Sequence, residues 1–254
     1  MEGLQGKTAF ITGGAGGIGS TICEAMLESG ARVFLHDLPT SDGASKARSL
    51  CQRFGDGRAV FVGGDLKNLP ALARESAKLA AEVDGFDFLV NNAAIDPVAP
   101  IEAYSIEEFL EVQTINAHAA FVLCQTLAPR MKRKSAGAIV NVRSGVLSGG
   151  WAEKVPCAMS KGALLGLTRS LPRELGPHNI RVNGAFTEEN FCRDRLSAVI
   201  VFAPLAAMAD SVHAGRGVSH SRHIRHSRNA QKERARAGAE HMRMMRHAPA
   251  APKS

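Results

Sequence analysis

Gly13, Gly14, Gly16, Gly17 and Gly19 crowd the stretch Thr12-Gly-Gly-Ala-Gly-Gly-Ile-Gly19. Glycines so spaced let a backbone turn tightly, approach a pyrophosphate closely and aim helix N-terminal N–H groups at its charge. They fit G-x-G-x-x-G through Gly14, Gly16 and Gly19, and G-x-x-x-G-x-G through Gly13, Gly17 and Gly19, so spacing leaves the register open. Eighteen residues past Gly19, Asp37 ends an apolar run, where a carboxylate accepts hydrogen bonds from the diol of an adenosine ribose. That charge favours NAD and repels a 2′-phosphate, and no Lys or Arg stands in the glycine turn to accommodate NADP. An ordinary turn followed by a capping Asp has the same residues; a strand before and a helix after favour the dinucleotide reading.

These residues need elements to hold them. Apolar runs at 8–11, 33–35, 59–62, 86–90, 138–142 and 180–182 read as buried strands. Helix-period segments at 17–29, 44–54, 69–83, 105–131 and 160–175 alternate with them, and Gly30 sits where a helix C-terminal glycine belongs. Repeated strand–helix units with continuous apolar strands predict a Rossmann-type doubly wound parallel α/β sheet in three layers, α/β/α, with strand order 3-2-1-4-5-6.

Further motifs follow in order along residues 1–184: Asp65-Leu66, Asn91-Asn-Ala-Ala94, Asn116, Ile139-Val-Asn-Val-Arg-Ser144 and Cys157-Ala-Met-Ser-Lys161. With the glycine turn, this series resembles the short-chain dehydrogenases/reductases over about seven-tenths of the chain. The resemblance selects the register of Gly13, Gly17 and Gly19. It implies hydride transfer between NAD(H) and a secondary alcohol or ketone, a small-molecule substrate. It also implies that Gly13, Gly17, Ile18, Gly19, Asp37, Asp65, Leu66, Asn92 and Ala93 hold the cofactor. Lys161 would grip the nicotinamide ribose, Ser144 would polarise the substrate oxygen and Asn116 would support a proton path. A homo-oligomer is implied as well.

The sequence departs from the family at the proton-transfer position. Cys157 stands where the family's tyrosine belongs, thirteen residues after Ser144 and one helical turn before Lys161. A thiolate beside Lys161 gains electrostatic stabilisation, which allows acid–base chemistry in principle. A thiol falls short of a phenol's reach, so a water must bridge, at a loss of about 10²–10⁴-fold in rate. The plainer reading is a disabled site with a small buried thiol. Tyr104, the chain's one tyrosine, precedes the long helix and is no substitute. Pro172 falls inside the helix expected over 160–175, where it removes a hydrogen bond. Arg143 replaces the small residue usual before the serine, and after Val182-Asn183 neither the family's Pro-Gly turn nor its last strand is recognisable.

Charge divides the chain at the same point. Residues 1–184 carry 19 Lys+Arg and 18 Asp+Glu, whereas 185–254 carry 12 and 6, with six of the nine histidines. The expected organisation is therefore an NAD-binding domain over 1–184 and a basic, irregular tail over 185–254. Two readings of the tail compete: an arm binding acidic partners, and a shifted reading frame. The second is favoured because the composition changes where the motifs stop, and no aromatics interleave the basic residues to stack on bases. His220, His223 and His226 lie among arginines with no carboxylate or thiol nearby, so no metal site is expected. Five cysteines without a Cys-x-x-Cys pair, no apolar stretch long enough for a bilayer and no basic-then-apolar leader give the expectation of a cytoplasmic protein. Beside the dehydrogenase with impaired activity stand two alternatives: an NAD-binding pseudoenzyme and an interaction protein working through its basic tail.

Overall fold

The computed structural model describes residues 3–187 of the 254. The apolar runs lie side by side as six parallel strands: β1 (Thr8–Thr12), β2 (Arg32–Asp37), β3 (Ala59–Gly63), β4 (Phe88–Asn91), β5 (Gly137–Ser144) and β6 (Ile180–Thr187). Their order is β3-β2-β1-β4-β5-β6, as the strand–helix alternation predicts. The order reverses between β1 and β4, so a crevice opens beyond their carboxyl ends.

Alternation along each strand feeds two cores. Ile11, Leu35, Val90 and Val140 face one layer with Ile22 and Met26 of α1 (Gly17–Glu28) and Leu50 of α2 (Gly43–Phe54). Their chain neighbours Phe10, Phe34, Leu89 and Ile139 face the other. There they meet Leu72 of α3 (Leu69–Glu82) and Leu123, Leu127 and Met131 of α5 (Ala119–Lys134). Phe86 stands edge-on to Phe10 and Phe34, with centroids 5.3 and 5.1 Å away. Gly30, at φ +100°, ends α1 as its position suggests.

The helix expected over 105–131 is built in three parts. Ser105 and Glu108 form a reciprocal capping box at the start of α4 (Ile106–Gln113). A π-helical turn over Thr114–His118 then widens the helix at Asn116 before α5 continues it.

Two elements run five residues longer than the sequence predicts. Strand β6 pairs with β5 over eight residues, to Ser144↔Thr187. Its Gly184 lies against the Arg143 guanidinium, so the absence of a side chain at 184 leaves room for the large residue at 143. Helix α7 (Val155–Leu175) begins five residues early with Pro156 in its first turn, and it carries Pro172 within its final turn without breaking. The short α6 (Val146–Gly149) lies between β5 and α7. The missing last strand and the tail fall almost wholly on residues 188–254, outside the described residues. Among the described residues no helix is long and apolar enough to cross a membrane.

A buried polar chain fixes α7 to the sheet. The Asn91 amide donates to Asn141 Oδ1 (2.8 Å), the Asn141 amide donates to Thr168 Oγ1 (2.9 Å), and Thr168 donates to the Leu164 carbonyl (2.7 Å). Asn141→Ala should cost about 2–3 kcal/mol by leaving a buried donor unpaired. Urea denaturation should show a lower midpoint at unchanged slope; a loss below about 0.5 kcal/mol would contradict the assignment.

Candidate active site

The crevice begins at the turn after β1. Gly13 adopts φ +64°, and a Cβ there would lie 2.9 Å from the Ala93 Cα atom. Thr12 and Asn92 tie the two strand ends: Thr12 Oγ1 accepts from the Asn92 and Ala93 amides (3.0 and 3.1 Å), and Asn92 Nδ2 donates to the Thr12 carbonyl (2.9 Å). Helix α1 sits so tightly on the turn that a Cβ at Gly19 would run into the Gly13 carbonyl. Gly16 caps α1 without a side-chain hydrogen bond, and the first turn holds no acidic residue. The positive helix end is therefore left for an anion.

One cavity of about 650 Å³ runs from this turn along the carboxyl ends of the strands, within the usual size of a ligand pocket. Gly13, Gly17, Ile18 and Gly19 line it, and so do Asp37, Asp65 and Leu66. Asn92, Ala93, Ser144, Cys157 and Lys161 line the remainder. The Asp37 carboxylate accepts from the Ala15 amide (2.9 Å) and the Leu38 amide (2.8 Å), which holds it beside the glycine turn. Asp65 accepts from the Lys67 amide (2.9 Å). A cradle closed to Cβ atoms, an open helix end and a carboxylate beside them fit an adenine dinucleotide.

At the other end of the cavity, Lys161 is 4 % exposed and donates to the Val142 carbonyl (3.0 Å). Burial pulls its ammonium below the usual lysine value, against the opposing charges of Cys157 and Asp96. Ser144 Oγ accepts from the Val146 amide (3.2 Å). Asn116 stands behind the cavity wall: its amide donates to the Ile95 carbonyl (2.9 Å) and Ser160 (3.0 Å), and its oxygen accepts from the Ile95 amide (2.8 Å).

Cys157 lines the cavity together with Lys161. Burial, then the charge and hydrogen bonding of Asp96, push its thiol up to about 11 against the counter-pull of Lys161 and Lys154. Desolvation outweighs the neighbouring ammonium, so the group is a neutral thiol at physiological pH and not a stabilised thiolate. Tyr104 is tied to the backbone carbonyls of Pro97 and Glu153 and does not line the cavity.

Several neighbours escaped the sequence reading. Asp96 lines the cavity and is paired with Lys154 (2.8 Å). It follows Asn91-Asn-Ala-Ala94 at the crevice between β1 and β4, a position at which a charged residue is itself a signal. Lys46 reaches from α2 to the Ala15 carbonyl and pairs with Asp42 (3.2 Å), so a cation does touch the glycine turn. His36 is 3 % exposed and its Nδ1 has no partner among the described residues; burial lowers its pKa and keeps the ring neutral near pH 7.

A six-stranded doubly wound sheet with this glycine turn and this Ser–Lys pair defines a nicotinamide-dependent oxidoreductase fold. The family profile for short chain dehydrogenase matches residues 7–187, and the chain belongs to that family. A probable galactose dehydrogenase of Rhizobium meliloti is 35 % identical over 183 residues, covering 71 % of this chain and 70 % of that protein. The structure of NAD+-bound xylitol dehydrogenase superposes with a TM-score of 0.68 at 27 % identity, covering 73 % of this chain and 71 % of the other. A metagenomic short-chain oxidoreductase in complex with NADP gives 0.72 at 26 % identity, over 81 % and 92 % of the two chains.

Two outcomes follow. Gly19→Ala should destabilise the fold by about 2–3 kcal/mol and weaken nucleotide binding, because backbone and not a flexible side chain blocks the Cβ. Thermal melts and nucleotide titration read this; a variant with unchanged melting and binding would contradict it. Alkylation of Cys157, followed by peptide mass spectrometry, should be slow at pH 7.5 and rise about tenfold per pH unit toward pH 11, because only the thiolate reacts. A rate already level at pH 8 would show a low thiol pKa instead.

Proposed function

We propose that this protein is an NAD(H)-dependent oxidoreductase moving hydride between the cofactor and a secondary alcohol or ketone of the polyol or sugar class, with turnover lowered by the missing phenol at 157. The observation that carries the reading is the Asp37 carboxylate, fixed by the Ala15 amide inside the cavity that also contains Ser144 and Lys161. Bound there, the nicotinamide ring accepts or gives the hydride. Gly13, Gly17, Ile18 and Gly19 take the pyrophosphate, Asp37 the adenosine ribose, and Asp65 and Leu66 the adenine. Asn92 and Ala93 complete the wall. Lys161 holds the nicotinamide ribose, and the Ser144 hydroxyl steadies charge on the substrate oxygen. Asn116 joins Ile95 to Ser160 and holds α7 in register behind them.

The substrate class is supported by the galactose and xylitol dehydrogenases to which the chain is similar. Because similar proteins hold NADP or NADPH, the NAD preference rests on Asp37 alone. Lys46 does not cancel it, since the ammonium is already shared by the Ala15 carbonyl and Asp42. A cofactor-binding protein without turnover is the second reading, favoured by the neutral, buried thiol of Cys157.

Calorimetric titration of the full chain tests the first. NADH should bind in the micromolar range and NADPH at least about tenfold more weakly, a difference of about 1.4 kcal/mol that Asp37→Asn should largely erase. Equal affinity for both nucleotides in the unaltered chain would sink the NAD preference.

A further inference from the structure

The cavity contains a charged pair that the reading of the family motif leaves without a role. Asp96 lies on the loop after β4, and Lys154 lies three residues before Cys157. Lys154 Nζ stands 2.8 Å from Asp96 Oδ2, and its side chain is only 14 % exposed. Asp96 lines the cavity beside Cys157, Lys161 and Ser144. A surface ion pair between such distant segments would contribute little and carry no message. This one has its lysine mostly buried, while the Asp96 side chain stays 38 % exposed where it lines the cavity.

The chain's single phenol holds the pair in place. The single Tyr104 hydroxyl proton is shared between the carbonyls of Pro97 (2.7 Å) and Glu153 (2.8 Å), and its oxygen accepts from the Ala99 amide (3.1 Å). The Ala99 amide also donates to the Glu153 carbonyl (3.1 Å). Pro97 is the neighbour of Asp96 and Glu153 the neighbour of Lys154, so these bonds clamp the two segments together at the residues that matter. Glu153 takes the left-handed φ of +61° to present that carbonyl. A catalytic side chain needs such outer support to keep its geometry.

We propose that Asp96, held by Lys154, is the proton-transfer residue of this site, standing in for the phenol absent at position 157. The proposal rests on the hydride-transfer reading above. In the oxidative direction the substrate C–H bond breaks and its electron pair leaves as hydride to NAD+. The O–H bond breaks with it, its proton passes to the Asp96 carboxylate, and the carbon–oxygen double bond forms; Asp96 then releases the proton to water. The reductive direction runs the same steps backwards. A carboxylate has lone pairs beyond those that one ammonium occupies, so the pairing with Lys154 orients Asp96 without using it up. Cys157 serves as the small residue that leaves the carboxylate room. The charged and titratable groups around Asp96 are Lys154 at the N-cap of α7, and Cys157 and Lys161 within that helix.

The test uses the full 254-residue chain with NAD+ and xylitol or galactose, and three readouts. Asp96→Asn should keep NADH affinity within about threefold and lower kcat by about 100-fold or more. Asp96→Glu should recover part of kcat. Removing the carboxylate should also speed Cys157 alkylation at pH 8 several-fold, because a charge that raises the thiol pKa is gone; this needs no cofactor. Asp96→Asn with kcat within threefold of the parent, or with unchanged Cys157 alkylation, overturns the proposal. A parent chain that binds NADH but oxidises neither substrate also overturns it, with the cofactor reading intact. A parent that binds no NADH refutes the cofactor reading itself, and the proton role falls with it.

Discussion

The close approach of two strand ends governs the rest of the structure. Thr12 and Asn92 lock the carboxyl ends of β1 and β4 together, and Gly13 brings the backbone almost onto Ala93. Because the sheet order reverses there, the helices after the two strands depart to opposite faces and leave a crevice between them. Gly19 then lets α1 sit on the turn, so one glycine-lined wall serves both packing and ligand. No other residue type at 13 or 19 satisfies both demands.

The chemical half of the cavity depends on a second constraint, the register of α7. Cys157 and Lys161 face the same way because they are one helical turn apart, and the chain from Thr168 through Asn141 to Asn91 sets their height over the sheet. The π turn at Asn116 meets α7 at Ser160, so the same helix is held from both sides. Position 157 shows what burial does to a reactive side chain in such a setting. A thiol placed for packing stays protonated, despite an ammonium four residues away, because desolvation acts on it more strongly than the charge does.

Much of this was legible in the sequence, and the reasons are specific. Alternating pairs such as Phe10/Ile11 and Phe34/Leu35 announce a sheet covered on both faces, and the glycine run announces a turn with no room for side chains. The motif residues named from the family resemblance lie along one cavity, apart from Asn116 behind its wall. The extension of β6 to Thr187 was hidden because it depends on Gly184 and Arg143 fitting each other across two strands. The π turn was hidden because a helix of apolar period reads alike with or without one extra residue in a turn. Asp96 and Lys154 were hidden for the same kind of reason: 58 positions separate them, and only the fold makes them neighbours.

The clamp made by Tyr104 has an optical side. The chain contains one tyrosine and one tryptophan, and Trp151, half exposed, lies three residues from Lys154. Tyr104 and Trp151 therefore both belong to the segments that frame the Asp96–Lys154 pair, and the sheet and its two cores contribute phenylalanine but neither tyrosine nor tryptophan. Intrinsic emission from this protein is a local signal. It reports the segments around the Asp96–Lys154 pair and is nearly silent about the distant layers of the fold.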